Sequence, residues 1–108
     1  MPDVVHVHPN VHLGPGAELG EYVLLGVPPR NHVAGELATH IGDGAVIRSH
    51  TVIYAGNVIG DNFQTGHGVL IRELNDIGDD VRVGSHTVIE HHVHLGHGVR
   101  IHSNAFIP

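Results

Sequence analysis

Residues 41–107 read IGDGAVIRSHTVIYAGNVIGDNFQTGHGVLIRELNDIGDDVRVGSHTVIEHHVHLGHGVRIHSNAFI, and an aliphatic residue returns at almost every sixth position. We call that position i of a six-residue repeat. It is occupied by Ile41, Ile47, Ile53, Ile59, Thr65, Ile71, Ile77, Val83, Ile89, Leu95, Ile101 and Ile107. A period of six matches neither the 3.6 residues of a helical turn nor the two residues of an amphipathic strand. It is typical of a solenoid built from hexapeptides.

Two further positions of the repeat are regular. Glycine often stands at i+1, as in Gly42, Gly60, Gly66, Gly78, Gly84 and Gly96. Position i+4 tends to be small or β-branched, in the series Ala45, Thr51, Asn57, Phe63, Val69, Asn75, Val81, Thr87, Val93, Val99 and Ala105. We predict an all-β fold with three hexapeptides per turn, so that residues eighteen apart lie one above the other at about 4.8 Å. Gly, Asp and Asn are expected at the corners, where left-handed backbone is needed.

The same spacing occurs earlier in the chain, but out of phase. It is carried by Val7, Leu13, Leu19 and Leu25. The sixteen residues from Leu25 to Ile41 are not a multiple of six, so a segment must leave the coil between them. Pro28-Pro29 cannot join a strand ladder, and Gly35 favours a turn. We therefore predict one extruded loop at about residues 26–40.

The length of the chain predicts one domain over residues 1–108. The sequence stops at Ile107-Pro108, part way round a predicted turn. An open turn exposes unpaired strand edges. We therefore expect the C-terminal end to be covered by another chain or truncated.

Composition excludes several classes of function. The formal charge is -6, with no Lys and only five Arg, so a nucleic-acid partner is not expected. No Cys is present, which excludes disulfides and thiolate metal sites. No apolar run approaches the roughly 20 residues of a membrane span, and no signal peptide is visible. We expect a cytoplasmic protein with no membrane partner.

Three segments carry a resemblance to a known superfamily. They are LGVPPR at 25–30, IGDGAVIRSHTVIYAGNVIGDNFQTGHGVLIRE at 41–73, and IGDDVRVGSHTVIEHHV at 77–93. The pattern resembles the hexapeptide-repeat acyltransferases, and within them the sugar and nucleotide-sugar acetyltransferases. The resemblance implies a left-handed parallel β-helix and a homotrimer. It also implies that acetyl-CoA meets a sugar or nucleotide-sugar acceptor in the groove between subunits, where a His acts as general base.

His67 is the candidate catalytic residue. It lies in the segment QTGHG at 64–68, where Thr65 interrupts the aliphatic series. The flanking glycines would let a ligand approach, and a neutral imidazole suits proton abstraction from the acceptor. In the alternative, His67 is a corner residue whose glycine neighbours serve turn geometry, and Thr65 makes room for Phe63.

Four other residues are candidates for substrate or cofactor binding. Arg82 and Arg100 are predicted to stack in adjacent turns, with Gln64 one turn earlier. Their guanidinium groups could hold a phosphate of CoA or of a nucleotide. Alternatively they are two solvated arginines balanced by nearby acidic residues. Glu73 follows His67 closely and could orient an imidazole of the same or a neighbouring chain.

His97 and His102 support an alternative function. Their spacing resembles the paired zinc ligands of the γ-class carbonic anhydrases, which share the β-helix and complete the site with a third His across a trimer interface. The column that would supply this third ligand holds Arg48, Gly66 and Gly84, so the set is incomplete. His91, His92 and His94 could contribute from another subunit, or they could form a surface cluster. None of the eight His in residues 41–107 occupies position i or i+4, so all are expected outside the core.

The sequence therefore predicts acetyl-CoA-dependent transfer to a sugar amine or hydroxyl, with no metal required. A zinc hydratase is one alternative. A non-catalytic, truncated β-helix scaffold is the other.

Overall fold

The computed structural model describes residues 4–108, which form an all-β solenoid of about six turns. A tight turn follows most of the short strands, and the extruded loop follows β4. The strands are β1 (His6–Val7), β2 (Val11–Leu13), β3 (Glu18–Leu19), β4 (Leu24–Val27), β5 (Thr39–Ile41), β6 (Val46–Ile47), β7 (Val52–Tyr54), β8 (Val58–Ile59), β9 (Gln64–Thr65), β10 (Leu70–Ile71), β11 (Asp76–Ile77), β12 (Arg82–Val83), β13 (Val88–Ile89), β14 (His94–Leu95), β15 (Arg100–Ile101) and β16 (Phe106–Ile107). Residues 4–108 offer no helix with the length and apolarity that crossing a membrane requires.

The strands form three parallel sheets, one on each side of the solenoid. Sheet A has the order β1-β4-β7-β10-β13-β16, sheet B the order β14-β11-β8-β5-β2, and sheet C the order β15-β12-β9-β6-β3. Ile53 pairs with Ile71, and Thr65 pairs with Val83, so neighbours in a sheet are eighteen residues apart. This confirms three hexapeptides per turn, and the arrangement is consistent with a left-handed β-helix.

Positions i and i+4 fill the interior, as predicted. The side chains of Ile47, Ile53 and Ile71 at position i are fully buried, and so is that of Phe63 at position i+4. Polar residues also occur inside, namely Thr39, Thr51, Asn57, Thr65, Asn75 and Thr87. Within residues 4–108 every buried side-chain nitrogen and oxygen has a hydrogen-bond partner. The narrow core therefore tolerates polar side chains because each is paired, which avoids a penalty of about 1–3 kcal/mol per group.

The turns show where the left-handed backbone lies. Positive φ occurs at position i+3, in Asn10, Gly16, Tyr22, Gly44, His50, Gly56, Asn62, Gly68, Leu74, Asp80, His86, His92, Gly98 and Asn104. The glycines at i+1 have a different purpose. A Cβ on Gly84 would lie 2.7 Å from the carbonyl carbon of His102 in the next coil. Glycine at i+1 after sheets B and C therefore lets successive coils approach, whereas after sheet A it occurs at Gly26, which has positive φ at the start of the extruded loop.

The extruded loop connects sheet A to sheet B. Leu13 pairs with Ile41, so these neighbours are twenty-eight residues apart instead of eighteen, and ten residues are inserted. Strands β4 and β5 contain the first two and last two residues of the range 26–40. The side-chain amide of Asn10 donates to the carbonyl of Gly35 at 3.2 Å and ties the loop to the first coil.

The outer faces of the three sheets differ in chemistry. Sheet A presents an apolar column of Leu24, Val52, Leu70, Val88 and Phe106. Sheet B presents His12, His40, Val58, Asp76 and His94. Sheet C presents Glu18, Val46, Gln64, Arg82 and Arg100. One face is therefore apolar, one is rich in histidine, and one is basic.

Candidate functional site

The outer face of sheet C brings together three of the predicted site residues. Arg82 pairs in register with Gln64 on one side and with Arg100 on the other. Together with Arg48 and Ser85 they line an open groove of about 420 Å³, which we call the arginine groove. The predicted column of two arginines above a glutamine is therefore present.

The arginines of this groove are free to bind an anion. Among residues 4–108, no carboxylate lies within ion-pair distance of Arg48, Arg82 or Arg100. The nearby acidic residues therefore do not balance Arg82 and Arg100 through direct pairs. Guanidinium groups match the geometry of phosphate oxygens and can bind them with two parallel hydrogen bonds. Three guanidinium groups that make no ion pair within residues 4–108, on one face of an acidic protein, favour a phosphate-bearing ligand.

Thr65 has a structural task that the sequence did not reveal. Its Oγ1 accepts the backbone N–H of Arg48 at 3.1 Å, and its carbonyl accepts a hydrogen bond from Nη1 of Arg48 at 2.9 Å. In the next coil the corresponding N–H, of Gly66, donates to the carbonyl of Val83. The hydroxyl of Thr65 therefore accepts the inter-coil backbone hydrogen bond that its carbonyl would otherwise accept. The carbonyl is left to accept the guanidinium of Arg48, which holds that side chain at the groove.

Arg48 is the residue that sequence reasoning missed. It stands at position i+1 after sheet C, where the other coils have Gly20, Gly66, Gly84 and His102. A signal was present, because a large side chain at this position departs from the glycine rule just as Thr65 departs from the aliphatic one. These two unusual residues, Arg48 and Thr65, are joined to each other by two hydrogen bonds.

His67 lies on the turn after β9 and is exposed. Its Nδ1 is 2.8 Å from Oγ of Ser49 in the coil below, and its backbone N–H donates to Oγ of Ser85 at 2.9 Å in the coil above. His67 lines a second groove of about 360 Å³, together with Arg48, Ser49 and Glu18. We call this the histidine groove. Since Arg48 lines both grooves, the imidazole and the arginines belong to one continuous surface.

Glu73 lies away from this surface. It follows β10 on the turn from sheet A to sheet B, where Nε of Arg72 donates to its carboxylate at 3.1 Å. Burial favours a raised pKa for Glu73, but a backbone N–H and the Arg72 guanidinium outweigh it and leave the pKa below its usual range. Within one chain the structure does not bring Glu73 to His67.

His97 and His102 follow strands of different sheets and lie on different turns. Nδ1 of His97 accepts the backbone N–H of Asp79 at 2.8 Å, whereas His102 lines the arginine groove. Among residues 4–108, no three His, Asp or Glu side chains are grouped so that they could hold a metal ion. The eight His of residues 41–107 are all exposed, as expected.

Comparison with known proteins supports the repeat assignment. The family model described as "Bacterial transferase hexapeptide (six repeats)" matches residues 76–108, which contain β11 to β16 and both Arg82 and Arg100. A search of curated proteins found no significant match. The matched hexapeptide repeat and the parallel β-solenoid together fit the hexapeptide-repeat superfamily, which includes acyltransferases.

Proposed function

We propose that this chain is an acyltransferase that moves an acetyl group from acetyl-CoA to an amine or hydroxyl of a sugar or nucleotide-sugar, with His67 as general base. One observation carries the proposal. An exposed imidazole with its Nδ1 held by Ser49 lies on the same face as three arginines that make no ion pair within residues 4–108. A base beside phosphate-binding side chains is what transfer from acetyl-CoA requires.

The hydrogen bond to Ser49 decides whether His67 can act as a base. The assignment requires the tautomer in which Nδ1–H donates to Oγ of Ser49, because the lone pair of Nε2 is then free. Nε2 takes a proton from the acceptor as its nitrogen or oxygen attacks the thioester carbonyl. The tetrahedral intermediate then collapses, the carbon–sulfur bond breaks, and the leaving CoA sulfur takes up the proton that Nε2 of His67 had accepted, which restores the neutral imidazole. Ser49 is a positioning residue in this scheme.

The arginine groove supplies binding energy in this proposal. Arg82 and Arg100 bind phosphate oxygens of CoA or of the nucleotide-sugar, and the amide of Gln64 offers a neutral donor beside them. Arg48 lies between the two grooves, so it would contact the part of the substrate that approaches His67. Removing these charges should raise KM more than it lowers kcat.

A homotrimer would complete the site. The apolar outer face of sheet A includes Phe106, whose side chain is 61% exposed. Burying such apolar surface against another copy favours assembly. His67 lies on the turn between β9 of sheet C and β10 of sheet A, so a second copy that covered sheet A would form a wall beside its imidazole. The resemblance to the acetyltransferases motivates the trimer, and the apolar face supports it.

Release of free CoA from acetyl-CoA, measured over a panel of amino sugars and nucleotide-sugars, tests the proposal. His67→Asn should lower kcat by about 10²- to 10⁴-fold, the usual contribution of a general base. His86→Asn is the matched control, since His86 is another exposed turn histidine one coil higher. Turnover that is unchanged in His67→Asn, or absent from the intact protein with every acceptor, would refute the assignment. In Arg82→Gln and Arg100→Gln, the KM for acetyl-CoA and the KM for the acceptor are measured separately. The one that rises identifies which substrate the arginine groove binds.

A further inference from the structure

Two consecutive histidines converge on one point outside the proposed catalytic surface. His91 and His92 follow β13 on the turn from sheet A to sheet B, and both side chains are exposed. Their Nδ1 atoms are 2.8 Å apart, and their rings are nearly perpendicular, at 87°. Among residues 4–108 this is the only hydrogen bond that joins two imidazoles.

The turn geometry explains why the two rings meet. Consecutive side chains of a strand point to opposite faces, so neighbouring histidines in a strand would diverge. His92 has a φ of 59°, in the left-handed region, so the chain bends at this corner and the two side chains do not alternate as they would in a strand. The left-handed corner at i+3 therefore lets His91 and His92 converge.

The charges around the pair favour a cation. Glu73 lies one coil below His91, and Glu90 precedes it in the chain. Arg72 contacts both carboxylates, at 3.1 Å from Glu73 and 3.6 Å from Glu90. Two carboxylates and one guanidinium leave a net negative charge beside two imidazoles. A bound cation therefore meets attraction instead of repulsion on this turn.

We propose that His91 and His92 form a two-imidazole site for a divalent transition-metal ion, with water completing the coordination shell. Imidazole nitrogens bind such ions at about 2.0–2.1 Å, so two ligands on one ion lie about 3 Å apart. The observed 2.8 Å separation is close to this value, so rotation of the two exposed rings can aim both lone pairs at one ion once neither Nδ1 carries a proton. Two neighbouring nitrogen ligands with open water positions suit Cu²⁺ best, followed by Ni²⁺.

This site is separate from the other histidines considered above. His97 and His102 follow β14 and β15, and the Nδ1 of His97 is occupied by a backbone N–H. His67 lies on the turn between sheets C and A, whereas the pair lies on the turn between sheets A and B. Metal binding at His91 and His92 can therefore be measured without any assay of acyl transfer.

Titration of the untagged full chain with Cu²⁺, followed by calorimetry and by electron paramagnetic resonance, tests the proposal. We expect one stoichiometric site whose spectrum shows nitrogen coupling. His92→Asn and His91→Gln should each weaken that site by at least about tenfold, since loss of an outer-shell partner alone costs that much. His86→Asn is the matched control, because His86 is exposed, occupies the same position i+3 and has a φ of 60°.

Three results would overturn the proposal. They are Cu²⁺ binding without a stoichiometric first step, binding that survives in both variants of the pair, and an equal loss in His86→Asn. Asn is tolerated at this position, since Asn62 and Asn104 have positive φ at equivalent turns. If circular dichroism nevertheless shows that His92→Asn is unfolded, His91→Gln decides the matter, because residue 91 does not have positive φ.

Discussion

Gly60 allows the most direct test of how the coils stack. A Cβ at this position would overlap Oδ1 of Asp79 and lie 2.9 Å from both the nitrogen of Asp79 and the carbonyl carbon of Gly78. Gly60→Ala must separate two coils or displace the Asp79 carboxylate, which accepts the N–H of Asp61 at 2.8 Å. Overpacking costs about 1–3 kcal/mol, and a lost hydrogen bond adds about 1. We expect the free energy of unfolding to fall by about 2–4 kcal/mol.

Gly96 provides the matched control for this substitution. It occupies the same position i+1 after a strand of the same sheet, and a Cβ there would have no neighbour within 4 Å. Neither Gly60 nor Gly96 has positive φ, so alanine is compatible with both backbones. Gly96→Ala should therefore be neutral or stabilise the chain by up to about 1 kcal/mol. Urea unfolding followed by circular dichroism measures both variants, and equal losses of stability would refute the explanation by close coil approach.

Three further outcomes are expected. Asn57→Ala should lower the free energy of unfolding by about 3 kcal/mol or more in denaturant unfolding, because it removes both the donor to the carbonyl of Tyr54 and the acceptor for the buried N–H of Asn75. The exposed neighbour is the control, since Val58→Ala should change the same free energy by about 0.5 kcal/mol or less. Hydrogen bonds from the backbone N–H of Val33 and from the side chain of His32 lower the pKa of Glu36. The ionised Glu36 therefore stabilises the fold above its unfolded pKa, and this contribution is lost as the pH falls through its folded pKa. An NMR titration that placed the Glu36 midpoint at or above that of an unstructured Glu would contradict this. Nitrogen-15 NMR should find the proton of neutral His67 on Nδ1 and that of His97 on Nε2, and the same tautomer at both would contradict the proposed roles.

The interior of the solenoid could be predicted because the aliphatic residue at position i returns every six residues. Position i fixes which residues face inward, and the eighteen-residue register follows from three hexapeptides per turn. The corners were predicted in part. Gly, Asp and Asn were expected where the backbone is left-handed, and they occupy nine of the fourteen positive-φ sites at i+3, whereas His50, Leu74 and His86 are among the exceptions. The separate purpose of glycine at i+1 was not predicted, because the close approach there depends on the coil above.

Glu73 shows why nearness in sequence misleads in this fold. It is six residues from His67, and six residues lead only from one corner of a coil to the next corner, one sheet further round. Residues that meet are eighteen apart, as Ser49 and His67 are. Ser49 could therefore have been found by reading the column through His67, and Arg48 by asking which i+1 positions after sheet C lack glycine. The different chemistry of the three faces becomes visible once every third hexapeptide is aligned, since every third strand belongs to the same sheet.

Position i+2 shows how a regular scaffold can hold one reactive group. On the turns that follow sheet B, the side chains at this position form a ladder from coil to coil. Asp61 and Asp79 each accept a backbone N–H from the coil below, and Nδ1 of His97 accepts the next one. A neutral His97 must then carry its proton on Nε2, so it cannot offer that nitrogen as a base. His67 occupies the same position after sheet C but meets the hydroxyl of Ser49, which can accept as well as donate. A serine in place of a backbone donor therefore makes the basic tautomer accessible to His67 while the ladder geometry still holds its ring in place.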